Sequence, residues 1–151
     1  MKFKQLSMTI AALSVVGTAM VPSAVAAPAA GPIAAPKFGV VYDAGGKFDK
    51  SFNQSAYEGL QRFSKETGIK VLEVQANSDT QAEQVMRGLA RKKIDLIAAI
   101  GFSQTQAVQK VAKEFPNVRF VLIDSIAQGP NVNSVMFKEQ EGSYLVGVAA
   151  A

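Results

Sequence analysis

Four short apolar runs, each separated from the next by a stretch of helical periodicity, constrain this chain more than any other feature. The runs are Phe38 to Tyr42, Ile69 to Val74, Ile94 to Ile100 and Val118 to Ile123. Between them, apolar side chains recur at spacings of three and four. The first helical set is Phe52, Ala56, Leu60 and Phe63, within a predicted helix Phe52–Thr67 that Gly68 closes in the position where a left-handed residue is wanted. The second set is Ala82, Val85, Met86, Leu89 and Ala90, in a helix predicted from Thr80 to Lys92 and capped from Asn77-Ser78-Asp79. The third is Ala107, Val108, Val111, Ala112 and Phe115, in a helix from Gln104 to Phe115 with Ser103 as its cap and Pro116-Asn117 as its stop. Val132 to Phe137 reads as a fifth strand, and the stretch from Gln140 onward as a further helix. Strands this apolar need cover on both faces. The order βαβαβαββα therefore predicts an α/β fold with a parallel, doubly wound sheet.

The chain has 151 residues, 48% hydrophobic and 19% charged, which suits one packed domain. Cysteine and histidine are both absent from the sequence. That excludes disulfides, thiolate nucleophiles, Cys/His zinc sites and every His-based triad. No metal or cofactor site is expected. Lys2 and Lys4 precede an uncharged stretch, Leu6 to Val21, and then Ser23-Ala24-Val25-Ala26-Ala27. This is the pattern of a secretory signal peptide cleaved after Ala26. The uncharged stretch is short for a membrane span and diluted by Ser and Thr. Residues 27–36, with Pro28, Pro32 and Pro36, read as an extended tether, and residues 37–151 as the folded part. No cysteine follows the cleavage site, so a free periplasmic or secreted protein is expected rather than a lipid-anchored one. The net charge of +4 falls by two with the leader, so nucleic-acid binding is not indicated. Arg91-Lys92-Lys93 reads as a solvated helix end.

Ligands of open α/β sheets bind outside the carboxyl ends of the strands. Here those ends carry Asp43, Gly101 and Asp124. A carboxylate there can accept hydrogen bonds from ligand donors, and a glycine lets a ligand approach the backbone. The alternative is that either aspartate only caps its loop or pairs with a nearby lysine. The segment Asp43 to Asn53 opens the first helix, so unpaired backbone N–H groups are expected to face the strand ends. It matches neither the phosphate loop nor the dinucleotide fingerprint. Phe52, on spacing alone, reads as a core residue held against the sheet. Asn53 beside it offers one donor and one acceptor group. Gly101 and Ser103 complete the candidate ligand-binding set. No nucleophile or water-activating base accompanies the carboxylates, so an enzyme is not expected.

The stretch Val41-Tyr42-Asp43-Ala44-Gly45-Gly46-Lys47-Phe48-Asp49-Lys50-Ser51-Phe52-Asn53-Gln54-Ser55-Ala56-Tyr57-Glu58-Gly59-Leu60 resembles the basic membrane protein family, the substrate-binding proteins of ABC importers with purine nucleoside receptors as their characterised type. Phe137-Lys138-Glu139-Gln140-Glu141-Gly142-Ser143-Tyr144-Leu145-Val146-Gly147 resembles a second signature of the same family. The resemblance runs from Lys37 to Ala151. It implies a type I periplasmic-binding fold of two lobes, with ligand held in the cleft between them. It also implies that Phe52 stacks on a base while Asp43, Asn53 and Asp124 meet the base edge. The partners it implies are a purine nucleoside and the permease and ATPase of an importer, with the receptor a monomer. Family members are about twice this long and many are lipoproteins, so the chain is expected to be the N-terminal lobe alone. A receptor for a sugar, a free base or a signalling molecule is the alternative. A secreted nucleoside-processing enzyme, or a membrane-tethered sensor partner with an uncleaved leader, would be a further departure.

Overall fold

The computed structural model describes residues 35–151; the leader and nearly all of the tether lie outside them. Five strands form one sheet, every pair parallel, in the order β2-β1-β3-β4-β5. The strands are β1 Phe38–Tyr42, β2 Val71–Gln75, β3 Leu96–Ile100, β4 Arg119–Ile123 and β5 Val132–Val135. The helices are α1 Phe52–Thr67, α2 Asp79–Arg91, α3 Thr105–Glu114 and α4 Glu139–Ala150, with a 3-10 turn at Phe102–Gln104 before α3. The expected α/β class and parallel sheet are present.

The two sheet faces are covered unequally. Val41, Ile97, Ala99, Phe120 and Leu122 point to one face and pack against α2 and α3 through Met86, Leu89, Val108 and Val111. Full burial of a side chain such as Met86 or Phe120 stabilises by about 1.5–3 kcal/mol, and this face holds most of the core. Val40, Tyr42 and Ile100 point to the other face, where α1 packs through Phe52, Ala56, Tyr57 and Leu60. Beside α1 an apolar groove of about 490 Å³ remains open, bordered by Leu60, Phe63, Ile123 and Phe137. On α4, Tyr144, Leu145, Val146 and Val148 are all exposed. No helix among the described residues is long and apolar enough to cross a membrane.

Strand ends differ from the sequence expectation because pairing partners set them. β2 begins at Val71 and β3 at Leu96, since both lie opposite Phe38, the first residue of β1. Ile94 is nevertheless buried in the core. β5 stops at Val135, opposite Ile123 at the end of β4, and not at Phe137. Helix ends are more literal. Gly68 takes φ 73° and its N–H donates to the Ser64 carbonyl at 2.9 Å. Ser78 caps α2 by accepting from the Gln81 N–H at 3.3 Å. Ser103 does not cap α3. It lies inside the 3-10 turn, where Gln104 turns inward and donates to the carbonyls of Val41 and Ile100, both at 2.9 Å.

Candidate functional site

The chain runs from β1 through α1 to β2 on one side, then crosses back to β3 on the other. Asp43 and Gly101 therefore stand at the point where strand order reverses, the usual ligand position in such sheets. Asp124 stands at the neighbouring end of β4, so the three strand ends named from the sequence are adjacent.

Asp43 is held from one side only. Its Oδ1 accepts from the Gly45 N–H at 3.0 Å and from Asn53 Nδ2 at 2.7 Å. Its Oδ2 has no protein donor among the described residues and faces Gly101, where a Cβ would stand 2.8 Å away. Gly101 has φ 101°, a conformation that side chains rarely adopt. Glycine there thus leaves the free carboxylate oxygen room. Asp43, Asn77, Ser78, Ser103 and Gln104, together with Ala44, border a small hollow of about 130 Å³.

The loop that carries Asp43 is internally bonded, which corrects one expectation. The N–H groups of Ser51, Asn53 and Gln54 at the start of α1 do not await a ligand. Asp49 Oδ1 accepts from Ser51 N–H at 2.8 Å and Gln54 N–H at 3.1 Å; Oδ2 accepts from Asn53 N–H at 3.1 Å and Asn53 Nδ2 at 3.0 Å. Burial pushes the Asp49 carboxyl up, but these bonds outweigh it and hold it below the ordinary carboxylate range. Asn53 is buried, and its Oδ1 accepts from the Asp43 N–H at a long 3.4 Å. The loop is pinned to β2 as well. Lys47 Nζ lies 3.4 Å from Glu73 and 4.9 Å over the Tyr57 ring, and the Tyr42 hydroxyl donates to Glu73 at 3.0 Å. Burial, then the Glu73 carboxylate, pushes the Tyr42 phenol well above its ordinary value.

Phe52 and Asn53 are consecutive but diverge. Asn53 turns to the two aspartates. The Phe52 ring packs with Val40, Tyr42 and Ile100 and meets the Phe137 ring edge-on, centroids 6.1 Å apart at 89°. It borders the apolar groove beside α1. Asp124 is partly exposed at φ 70°, with its N–H bonded to the Val135 carbonyl at 2.8 Å. The Asp124 carboxyl beside Glu139, the first residue of α4, raises the Glu139 pKa. Ser103 is exposed beside the hollow. The structure thus joins Asp43, Asn53 and Gly101 into one cluster, with Ser103 at its margin. It gives Asp124 and Phe52 separate surroundings. Asp49, Gln104, Phe137 and Glu139 were not singled out from the sequence. For Asp49 a signal existed: an acidic residue just ahead of a predicted helix start.

A model of the family described as ABC transporter substrate-binding protein, PnrA-like, matches residues 37–151. The ABC transporter nucleoside-binding protein BmpA of Lactococcus lactis is 39% identical over 120 residues, 76% of this chain and 34% of that protein. The CD4+ T-cell-stimulating antigen of Listeria monocytogenes is 38% identical over 117 residues, 74% of this chain and 33% of that protein. This chain spans about a third of the length of the curated relatives it matches. An ABC transporter solute-binding protein from Aeropyrum pernix superposes with a TM-score of 0.70 at 34% identity, over 76% of this chain and 32% of that one. A type II dehydroquinase from Butyrivibrio crossotus, at 12% identity and a TM-score of 0.51, shares the fold alone. The matched family is one of substrate-binding proteins, and this chain belongs to it: the PnrA-like substrate-binding proteins of ABC transporters.

Proposed function

We propose that this chain forms one wall of a site that captures a purine nucleoside outside the cytoplasm and presents it to the permease and ATPase of an ABC importer. The supporting observation is the Asp43 carboxylate, fixed through Oδ1 by Asn53 and open at Oδ2 beside Gly101. A fixed acceptor at a switch point suits the N–H or O–H donors of a base or sugar. Phe52 stacks on the base, an interaction worth about 0.5–1.5 kcal/mol beyond area burial. Asp124 meets a second donor, and Ser103 contacts the ligand from the hollow. Asn53 serves through Asp43, since its amide hydrogens are both committed within the protein. The nucleoside-binding relative from Lactococcus lactis supports the ligand class. The chain binds rather than converts, in keeping with a family of substrate-binding proteins.

Calorimetric titration of the full-length protein with inosine, adenosine and guanosine tests this. Saturable binding of at least one is expected, weakened roughly tenfold by Asp43→Asn, which swaps an acceptor for a donor at the ligand; tenfold corresponds to about 1.4 kcal/mol. Absence of heat with all three would sink the nucleoside assignment.

A further inference from the structure

We propose that Asp49 is a positioning residue of this site, acting through Asn53 to fix the carboxylate of Asp43; the proposal rests on the nucleoside-binding reading above. Capping α1 would need only the bonds from the backbone N–H groups of Ser51, Asn53 and Gln54. Asp49 makes a fourth, to the side chain of Asn53 at 3.0 Å. That bond does nothing for the helix. It sets the Asn53 carboxamide.

The arrangement admits one orientation. Asn53 Nδ2 lies between two carboxylates, Asp43 at 2.7 Å and Asp49 at 3.0 Å, and each takes one of its hydrogens. Oδ1 faces the Asp43 N–H. Turning the amide over would set an acceptor against two acceptors and a donor against a donor. Asn53 is 2% exposed, so water cannot replace a lost partner. Without Asp49, one amide hydrogen is orphaned, and the carboxamide rotates to find another partner. Asp43 then loses its shorter bond and keeps only the Gly45 N–H at 3.0 Å. The Asp43 oxygen beside Gly101 is no longer held where a ligand donor would meet it. Asp49 itself has both oxygens occupied by the protein, so its effect is indirect.

The test uses Asp49→Ala and Asp49→Ser in the full-length protein. Serine keeps an oxygen for the Ser51 N–H but is too short to hold the Asn53 side chain as well. Two readouts are taken: inosine affinity by calorimetry, and the side-chain amide resonances of Asn53 by NMR. Both variants are expected to weaken inosine binding at least tenfold. Both should move the Asn53 amide pair away from its position in the parent. Asp49→Ser should recover part of the lost thermal stability and none of the affinity. Arg87→Ala, which removes the ion pair to Glu114 of α3 and the one to Glu83 within α2, serves as the destabilised control and should leave inosine affinity unchanged. The proposal is overturned if either variant binds inosine like the parent with Asn53 resonances in place, or if Arg87→Ala weakens binding equally. Should the parent bind no nucleoside at all, the functional reading fails; the Asn53 resonances in the variants still decide whether Asp49 orients that amide.

Discussion

Gly101→Ala is the sharpest probe of how this sheet edge is built. Gly101 sits at φ 101° and ψ 149°, a region that is essentially glycine-only, and a non-glycine residue there costs about 1–3 kcal/mol. The added methyl meets a second obstacle. It would stand 2.8 Å from Asp43 Oδ2, well inside van der Waals contact. Either the strand end shifts or Asp43 rotates and gives up its bond to Asn53, a loss of about 0.5–1.5 kcal/mol. Together these give a destabilisation of about 2–4 kcal/mol, or a fall in melting temperature of about 10 °C for a domain of this size. Thermal and urea unfolding followed by circular dichroism measure it. The steric part is separable. The Cβ of Asp43 lies 3.9 Å from the new methyl, ordinary contact, so Asp43→Ala removes the clash and leaves the backbone strain. Gly101→Ala should therefore be milder by about 1 kcal/mol in the Asp43→Ala background, where neither the clash nor the Asn53 bond remains. A Gly101→Ala protein melting within a degree or two of its parent would refute the geometry. Equal effects in both backgrounds would refute the part assigned to Asp43.

Gln104→Ala removes the partners of two buried carbonyls, Val41 and Ile100, and should destabilise by about 2–3 kcal/mol in urea unfolding; a change below about 0.5 kcal/mol would show those carbonyls are satisfied otherwise. Acid should weaken the α2–α3 contact. Lys110 and Arg87 hold Glu83 below its ordinary pKa, and Arg87 does the same for Glu114. Both groups have folded values below unfolded ones, so their contribution is present above about pH 4.5 and is lost as pH falls through the folded values. Melting temperature should drop over that window, and Arg87→Ala should flatten the drop; parallel pH profiles for parent and variant would contradict this.

The sheet was legible because its signal is redundant. Val40, Val41, Ile97, Leu122 and their neighbours are apolar in runs, and α2 and α3 repeat apolar residues on one side over several turns. The family was legible because the stretch from Asp43 to Leu60 is long and specific, and the match over residues 37–151 agrees with it. The local bonding was not legible. Asp49 has the position of a helix cap, yet nothing in the sequence tells that its carboxylate also takes the side-chain amide of Asn53. Ser103 has the composition of a cap, yet the larger Gln104 decides the turn by reaching two strand carbonyls. Phe137 follows Val135 and Met136 in a strand-like run, but β4 has no residue left to pair with it. For Ser103 and Phe137 a strand far along the chain, absent from any short window, settled the outcome.

The order of the strands also governs how the chain must assemble. β1, the first strand among the described residues, is paired on both sides, and one of its partners lies far along the chain: Lys37 bonds Asp95 across 58 residues. Gln104 reaches Val41 across 63. Closing loops of that length costs entropy before the contacts repay it, and such topologies fold slowly for that reason. β1, α1 and β2 alone give a two-stranded unit with one bare edge on β1 and most of one face uncovered. Lasting structure around Asp43 therefore waits until β3 and the Gln104 turn arrive. Until then the segment around Asp43 lacks the tertiary contacts that fix it, and a polypeptide without such contacts can still be threaded through a narrow channel.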